Sequence, residues 1–596
     1  MNDLAPPAAE LVLGVARSIS GRRWVWRQGE ARTGLAIAQR LAVPELVGRL
    51  LAGRGVTLDT AADFLEPTLR ALLPDPSVLT DMDAAAQRLA DAVAREESVA
   101  VFGDYDVDGA CSGALMVRLL RELGCAVVHY VPDRLKEGYG PNAGAITGLC
   151  DRGATLIVTV DCGIAAATAL AAAQGRADVV ILDHHKAEGD LPRVRAAVNP
   201  NRLDDRSGLN HLCAGAVAFL AAVATVRELR RRGHFATRPE PDLKSLLDLV
   251  ALATVCDVMP LTGLNRALVT QGLKVMARRE RAGIAALLAV AQAKDSPTTH
   301  TLGFLLGPRI NASGRIAESD LGLRLLVEDD EIEARAMAET LDEVNRRRQE
   351  VEADVLGAAF AAAEQQAQRG HPVLLVVGEG WHPGVVGIVA GRIKEKYNRP
   401  ALVAGLSGGL AKGSGRSVAG VDLGSAIIAA RQMGLLETGG GHPMAAGFSF
   451  RAAREGEFHA FLDERLSHAA ALPGAADLGI EGALAVQGAT VETAQQVSRL
   501  APFGAGNEEP TFVLSRARVV RADRVGKEGA TVRAFLEGEG GGGRLKAVCF
   551  RVKDGPLGAA LLGGGLLHLA GHLRAESWND NVTAGFQVVD AAAVLS

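Results

Sequence analysis

From about residue 85 the chain alternates short apolar runs with longer stretches of helical spacing. The runs 98–102, 126–131, 155–160 and 178–182 each give way to turn residues and then to a helix. That order predicts parallel strands joined by crossover helices, a doubly wound α/β layer. In such sheets ligands collect beyond the carboxyl ends of the strands. Helical spacing then dominates from about 212 to 330. The stretch 328–366 has no proline, with Met337, Leu341, Val344, Val351 and Val355 on one stripe and charges elsewhere, and predicts one long helix linking two lobes.

A second, smaller α/β lobe follows, with strand 373–377, helix 384–396 and strand 401–404. Beyond Pro473 the pattern turns strand-like at 511–520, 531–536, 545–550, 566–573 and 582–588, broken by Gly and Asp turns, and predicts a small β-barrel of the OB type. Residues 1–75 read as short helices interrupted by prolines, with Trp24 and Trp26 as isolated anchors and no chemical signal. A chain of 596 residues exceeds one hydrophobic core. The expected division is 1–75, 76–327, 328–369, 370–470 and 471–596.

Composition changes this picture little. The net charge of −5 argues against a uniformly basic surface, but local patches and acidic metal ligands leave nucleic acid open as a partner. The seven cysteines are scattered, with no C-x-x-C pair, so neither a disulfide framework nor a thiolate metal site is indicated. The N-terminus lacks a basic region followed by an apolar run, and the longest uncharged stretch is too short to span a bilayer. A soluble protein of the reducing cytoplasm, without membrane attachment, is expected.

The densest chemical signal is Gly103-Asp-Tyr-Asp-Val-Asp-Gly109 at the end of the first strand. Carboxylates at Asp104, Asp106 and Asp108 repel one another unless a cation neutralises them. The spacing also matches the first half of an EF-hand loop. That loop needs an incoming helix and a glutamate at its twelfth position, where this chain has a strand and Leu115. A solvated acidic turn is the other reading of the motif alone. Asp161 ends the third strand, Asp183-His184-His185 ends the fourth, and Asp257 follows the apolar run 243–256. Each alone reads as a helix cap or a structural histidine, but four positions on one sheet edge are hard to explain as caps. Mixed Asp and His donors without cysteine suit Mn²⁺ or Mg²⁺, with imidazole favouring Mn²⁺.

These residues, with Val160-Asp-Cys-Gly-Ile164 and Cys256-Asp257, resemble the DHH phosphoesterase superfamily. Later motifs resemble its bacterial single-strand-specific 5′-to-3′ DNA exonucleases more narrowly. They are Gly307-Pro-Arg-Ile-Asn-Ala-Ser-Gly-Arg315, Trp381-His-Pro-Gly-Val-Val-Gly387, Gly413-Ser-Gly-Arg-Ser417, Gly439-Gly-Gly-His442 and Pro502-Phe-Gly-Ala-Gly-Asn507. The resemblance implies a two-metal phosphodiesterase. Asp106 and Asp161, with Asp104 the least certain, would hold one cation. Asp108, Asp161, His184 and Asp257 would hold the second, Asp161 bridging. Asp183 would orient a ligand histidine from behind, and His185 would touch the scissile phosphate. Hydroxide attack in line would then release nucleoside 5′-monophosphates.

Arg309, Asn311 and Arg315 are candidates for phosphates beyond the metals, Arg309 foremost. Gly440, Gly441 and His442 are read as a backbone nest for an anion, to which Ser414 and Arg416 add a hydroxyl and a guanidinium. With Arg134, the resemblance makes these the pocket for a 5′-terminal phosphate, which would set polarity. Between 511 and 554 ten Lys or Arg face five acids, and Phe535, Phe550 and Trp578 lie near. That excess reads as a single-strand groove, against the alternative of a solvated barrel face.

The implied partner is single-stranded DNA, with a single-strand binding protein added by the resemblance alone; a monomer and a role in DNA repair and recombination are expected. Two other functions are weighed. One is a DHH hydrolase of oligoribonucleotides or cyclic dinucleotides, which would not need the barrel. The other is a catalytically inactive DNA-binding scaffold, whose expected mark, loss of ligands, is absent.

Overall fold

The computed structural model describes residues 10–134, 136–187, 189–316, 318–471, 477–526, 529–541, 543–552, 555–578 and 581–594. The chain divides into two compact units. One comprises Ala62–Arg348 with Pro502–Glu508; the other comprises Met1–Ala61, Gln349–Ala501 and Glu509–Ser596.

The first unit is built on a five-stranded, wholly parallel sheet. Its spatial order is Ala126–Tyr130, Ser98–Gly103, Leu156–Val160, Asp178–Leu182 and Ala196–Val198. The four predicted strands are all present; the fifth, three residues long, adds to them. Alternate side chains bury on opposite faces. Val99, Val101, Leu156, Val158 and Val160 join the larger core with the helices Met82–Ala94, Val107–Glu122, Ala214–Arg231 and Leu247–Cys256. Ala100, Phe102, Ile157 and Ile181 pack on the other face with the helix Ala143–Asp151. Burial on both faces explains why these strands read as continuous apolar runs rather than alternating ones. The sheet reverses its direction of growth between Ser98–Gly103 and Leu156–Val160, and at such a switch point the two diverging crossovers leave a crevice.

The predicted linking helix runs over Glu331–Gln368, 38 residues, or roughly 57 Å at 1.5 Å per residue. Ala334, Ala338 and Leu341 enter the core of the first unit, and Val355, Ala359 and Ala363 enter that of the second.

In the second unit, a five-stranded sheet has the order Thr438–His442, Ala445–Arg451, Leu410–Arg416, Ala401–Ser407, Leu374–Glu379, with only the last pair parallel. A separate barrel follows. Phe512–Val525, Thr531–Gly538, Arg544–Cys549, Asn581–Ala593 and Gly565–Trp578 pair in that order, and the last pairs back with the first. That closure bears out the expected OB-type barrel. Residues Trp24–Trp26 correct the reading of the N-terminal region as broken helices. They form a strand parallel to Leu478–Ile480, and Trp24 is fully buried with Val513, Ala570 and Ala592. Three residues are too few for strand periodicity to register. Among the described residues no helix is long and apolar enough to cross a membrane.

Candidate metal centre

The turn after Gly103 brings the acidic motif into the crevice. Asp106 caps the helix Val107–Glu122, its Oδ1 accepting the Gly109 N–H at 3.0 Å. A Cβ on Gly109 would lie 2.4 Å from the Asp104 carbonyl oxygen, so glycine is what lets the turn fold this tightly. Asp108 therefore enters the helix facing inward. Its two carboxylate oxygens accept the Ala214 and Gly215 N–H groups, each at 2.7 Å, at the start of another helix. Asp161 follows its strand with φ of 58°, a left-handed conformation that costs energy for any residue with a side chain. Asp257 is the residue at the C-terminal end of the helix Leu247–Cys256.

Two donor clusters result, each with its ligand atoms within 4.8 Å of one another: Asp104, Asp106 and Asp161, and Asp108, His184 and Asp257; a third group on the same criterion, Asp161, His184 and His185, overlaps both. His184 Nε2 joins them, lying 3.2 Å from Asp161 Oδ1, 3.6 Å from Asp257 Oδ2 and 3.7 Å from Asp108 Oδ2.

Asp104 Oδ1, Asp161 Oδ1 and Asp257 Oδ2 are buried without any hydrogen-bond partner. Unpaired anionic oxygens in a protein interior cost several kcal/mol each unless a cation meets them. Burial, then neighbouring carboxylates, push Asp104 and Asp257 up to about 8 and raise Asp108 and Asp161 as well. The donor set and its orphaned oxygens fit two divalent cations.

Those shifts carry a sign. Asp104 and Asp257 keep protons up to about pH 8 when folded, against about pH 4 in an unfolded chain. His185, opposed by burial but held by its bond to Asp183, is raised to about 9. All three bind more protons folded than unfolded at neutral pH, so metal-free stability falls as pH rises. A metal-free melting temperature that drops between pH 7 and 9, with the drop largely removed by saturating Mn²⁺, is expected by differential scanning fluorimetry. A flat metal-free profile would contradict this electrostatic picture. That window lies above the range of His129, His211, His382 and His568, whose lowered pKa values act in the opposite direction.

Asp183, predicted to brace a ligand histidine, makes more specific contacts. Its Oδ1 meets His185 Nδ1 at 2.8 Å and accepts the N–H groups of His184 and His185, while Oδ2 accepts that of Ile164. Burial alone would raise Asp183, but these bonds hold it below the ordinary carboxylate range. It thus fixes the His185 ring and the turn bearing His184, rather than the His184 imidazole. Sequence reasoning missed Tyr139, whose hydroxyl donates to the Asp161 carbonyl at 3.1 Å and lies 3.1 Å from His185 Nδ1. It also missed Asn199 and Asn201, which donate to the His185 and His184 carbonyls. Polar residues in Glu137-Gly-Tyr-Gly-Pro-Asn142 were the available signal for the tyrosine; the two asparagines left none.

The helix Gly307–Ile316 packs against the acidic turn, where a Cβ on Gly314 would lie 2.8 Å from the Tyr105 carbonyl. Arg134 lies over the Tyr105 ring at 5.0 Å, and burial pushes the Tyr105 phenol up to about 12 against the opposing charges of Arg134 and Arg315. Asn311 is half-buried on the same helix. Arg309, the foremost phosphate candidate, is turned elsewhere: its guanidinium meets Asp342 at 2.8 Å and the Leu305 carbonyl at 2.7 Å. An arginine one helical turn from a carbonyl and facing an aspartate satisfies itself within the fold, which a linear motif does not reveal.

In the second unit, Ser414 and Arg416 share one strand, and a Cβ on Gly387 would meet both at 3.2 Å. Gly440, Gly441 and His442 lie in the edge strand Thr438–His442, two strands away from them. The expected nest is corrected to extended backbone, because cross-strand pairing with Ala445–Arg451 outweighs the local turn tendency of glycine. On the barrel, Arg516 pairs with Glu539, Arg533 with Asp523, Arg544 with Glu537 and Lys546 with Glu576, which reduces the basic excess counted from sequence. Phe535 has Arg533 and Arg544 within 6.0 Å of its ring, and Phe550 is exposed. Lys527, Glu528, Lys553, Asp554 and the Trp578 side chain, which also enter that reading, lie outside the described residues.

The chain matches the DHH family N-terminal domain over 98–254, the DHHA1 domain over 370–468 and the RecJ OB domain over 480–590. It is 38% identical to the single-stranded-DNA-specific exonuclease RecJ of Dickeya dadantii over 526 residues, 86% of this chain and 90% of that one. The crystal structure of RecJ with Mn²⁺ from Thermus thermophilus is similar at a TM-score of 0.79 and 28% identity, covering 96% of this chain and 80% of that one. The Mg²⁺ complex of the same protein gives 0.73 at 28% identity, over 96% and 79% of the two chains. With the catalytic, associated and barrel domains matched in order, and the acidic crevice at the switch point of the first, the chain belongs to the RecJ family of the DHH superfamily.

Proposed function

We propose that this protein is a single-stranded-DNA-specific 5′-to-3′ exonuclease that hydrolyses phosphodiester bonds at the crevice of the first unit and releases nucleoside 5′-monophosphates. The observation that carries the reading is the pair of donor clusters joined through Asp161 and His184, with three buried carboxylate oxygens left without hydrogen-bond partners. Asp104, Asp106 and Asp161 would hold one divalent cation, and Asp108, Asp161, His184 and Asp257 the other, Mn²⁺ favoured and Mg²⁺ also suited. Bound there, such cations supply an acidified water and neutralise charge on phosphoryl oxygens.

The remaining steps belong to the protein. Asp183 engages His185 through Nδ1, and Nε2, which lies 3.2 Å from the Tyr139 hydroxyl, is the edge that would exchange that contact for an oxygen of the scissile phosphate. Tyr139 ties that ring to the Asp161 main chain and so fixes the distance between phosphate contact and ligand. Arg134 and Arg315, beside Tyr105, are suited to hold phosphates. Ser414 and Arg416 are suited to a terminal phosphate through a hydroxyl and a guanidinium, with the glycine main chain of Thr438–His442 two strands away. On the barrel, exposed Phe550 and the arginine-flanked Phe535 offer stacking surfaces for bases. The enzyme is read as a cytoplasmic monomer acting in DNA repair and recombination, with a single-strand binding protein as its expected partner.

End-labelled single and double strands digested with each divalent metal test the reading. Mononucleotide release from the 5′ label of single strands, with Mn²⁺ supporting it, is expected. Cleavage confined to dinucleotides would point instead to a small-substrate hydrolase, and DNA binding without hydrolysis to a scaffold.

A further inference from the structure

The sheet lobe of the second unit contains a cluster that the exonuclease reading does not use. His459 and Asp463 lie one turn apart on the helix Glu455–Arg465, whose Phe458 and Leu462 are fully buried and anchor it. His371 precedes the edge strand Leu374–Glu379, and its carbonyl is held by Arg399 at 2.6 Å. The two imidazoles stack with centroids 4.7 Å apart and planes 23° from parallel. Both address one carboxylate: His371 Nδ1 is 2.6 Å from Asp463 Oδ2, and His459 Nε2 is 3.7 Å from Asp463 Oδ1. One donor atom from each residue lies within 4.8 Å of the others.

Two details separate this cluster from an ordinary ion pair. Asp463 Oδ1 is buried with no hydrogen-bond partner, although its other oxygen is paired. A histidine–aspartate pair alone needs neither a second, stacked imidazole nor an orphaned oxygen beside it. His459 Nε2 donates to the Val373 carbonyl at 3.0 Å, a bond that a cation on that nitrogen would displace. The side chains are 31%, 16% and 23% exposed for His371, His459 and Asp463, so a solvent path stays open for a cation and its waters.

We propose that His371, His459 and Asp463 form a third metal site, selective for a borderline divalent cation of the zinc class. Two imidazoles and one carboxylate are the donors such an ion takes, leaving a position for water or a carbonyl oxygen. The catalytic crevice, with four or more carboxylates, is the harder site of the two. Binding would replace the His371–Asp463 and His459–Val373 hydrogen bonds and would satisfy Asp463 Oδ1. It would also staple the segment leading into the edge strand to the helix Glu455–Arg465, so its principal effect is on the stability of this lobe.

The test uses the untagged full-length chain carrying Asp106→Asn and His184→Gln, which removes one donor from each catalytic cluster. Equilibrium dialysis against Zn²⁺ near neutral pH, with metal analysis, is expected to find one tightly held zinc per chain and a raised melting temperature. Adding His459→Gln, or separately His371→Ala at the more exposed ligand, is expected to weaken zinc binding at least about tenfold and remove the thermal shift. Co²⁺ in place of zinc is expected to give visible absorption bands that both substitutions abolish, a readout of ligation independent of stability. Absence of bound zinc, or binding and Co²⁺ bands unchanged by both substitutions, would overturn the proposal.

Discussion

Asp161→Asn is expected to lower Mn²⁺-dependent hydrolysis about 10³-fold, as losing roughly 4 kcal/mol of charge stabilisation at the phosphoryl group implies. Metal-free stability is expected to rise at the same time. Asparagine is the informative replacement because Asp161 sits at φ of 58°, and asparagine tolerates that left-handed conformation better than alanine does. The fold is thus preserved while one charge is removed from a buried group of like charges, and burial already disfavours that charge in the metal-free protein. Removing it relieves repulsion from Asp108, Asp106 and Asp104 but takes away the carboxylate of the first cluster that lies 3.2 Å from His184 of the second. Initial rates on a labelled single strand and melting curves with and without Mn²⁺ give the two readouts. A rate within tenfold of the parent, or an undiminished Mn²⁺ thermal shift, would show that Asp161 does not bridge the clusters.

Trp24→Ala is expected to destabilise the second unit by about 3–5 kcal/mol, the usual loss for a large aromatic cut back to a methyl in a core. Trp24 is fully buried, and its indole N–H donates to Asp590 Oδ2 at 2.9 Å. Asp590 is itself fully buried and also accepts from Ser18 Oγ at 2.6 Å. Truncation therefore leaves both a cavity and a carboxylate short of one donor, and the strand Trp24–Trp26 loses its anchor beside Leu478–Ile480. Trp24→Phe, which keeps most of the ring and loses the donor, is expected to cost only about 1–3 kcal/mol. Urea unfolding followed by hydrogen exchange across 478–480 and 588–592 distinguishes the two substitutions. Equal costs for both, or a cost under about 1 kcal/mol for alanine, would mean that the N-terminal strand contributes little to this unit.

Much of the metal centre was legible in sequence because its ligands sit where strands end. A strand that is apolar on both faces is recognisable from composition, and the first polar residue after it must lie at the sheet's carboxyl edge. Asp104, Asp161 and Asp183, with His184 next to it, were located in this way, and the linking helix followed from an apolar stripe sustained along its length. Leu115 removed the calcium-loop reading without any structure. The parallel sheet, the small second lobe and the closed barrel are all consequences of local periodicity, which a linear pattern records.

What the tertiary structure alone decided are contacts between residues far apart in the chain. Asp183 grips His185 rather than the His184 ring, Tyr139 reaches across to Asp161, and Asp342 takes the guanidinium of Arg309. Gly439-Gly-Gly-His442 becomes an edge strand because a partner strand is available to pair with it. Barrel arginines meet acids on neighbouring strands, and Trp24 finds Asp590 at a separation of 566 residues. The acidic turn after Gly103 was read as a metal site only together with Asp161, Asp183-His184-His185 and Asp257 at the same sheet edge. How its charges are divided between two clusters depends on which side chains the fold brings within a few ångströms, and hydrogen bonding and Coulomb forces act over those distances, not along the chain.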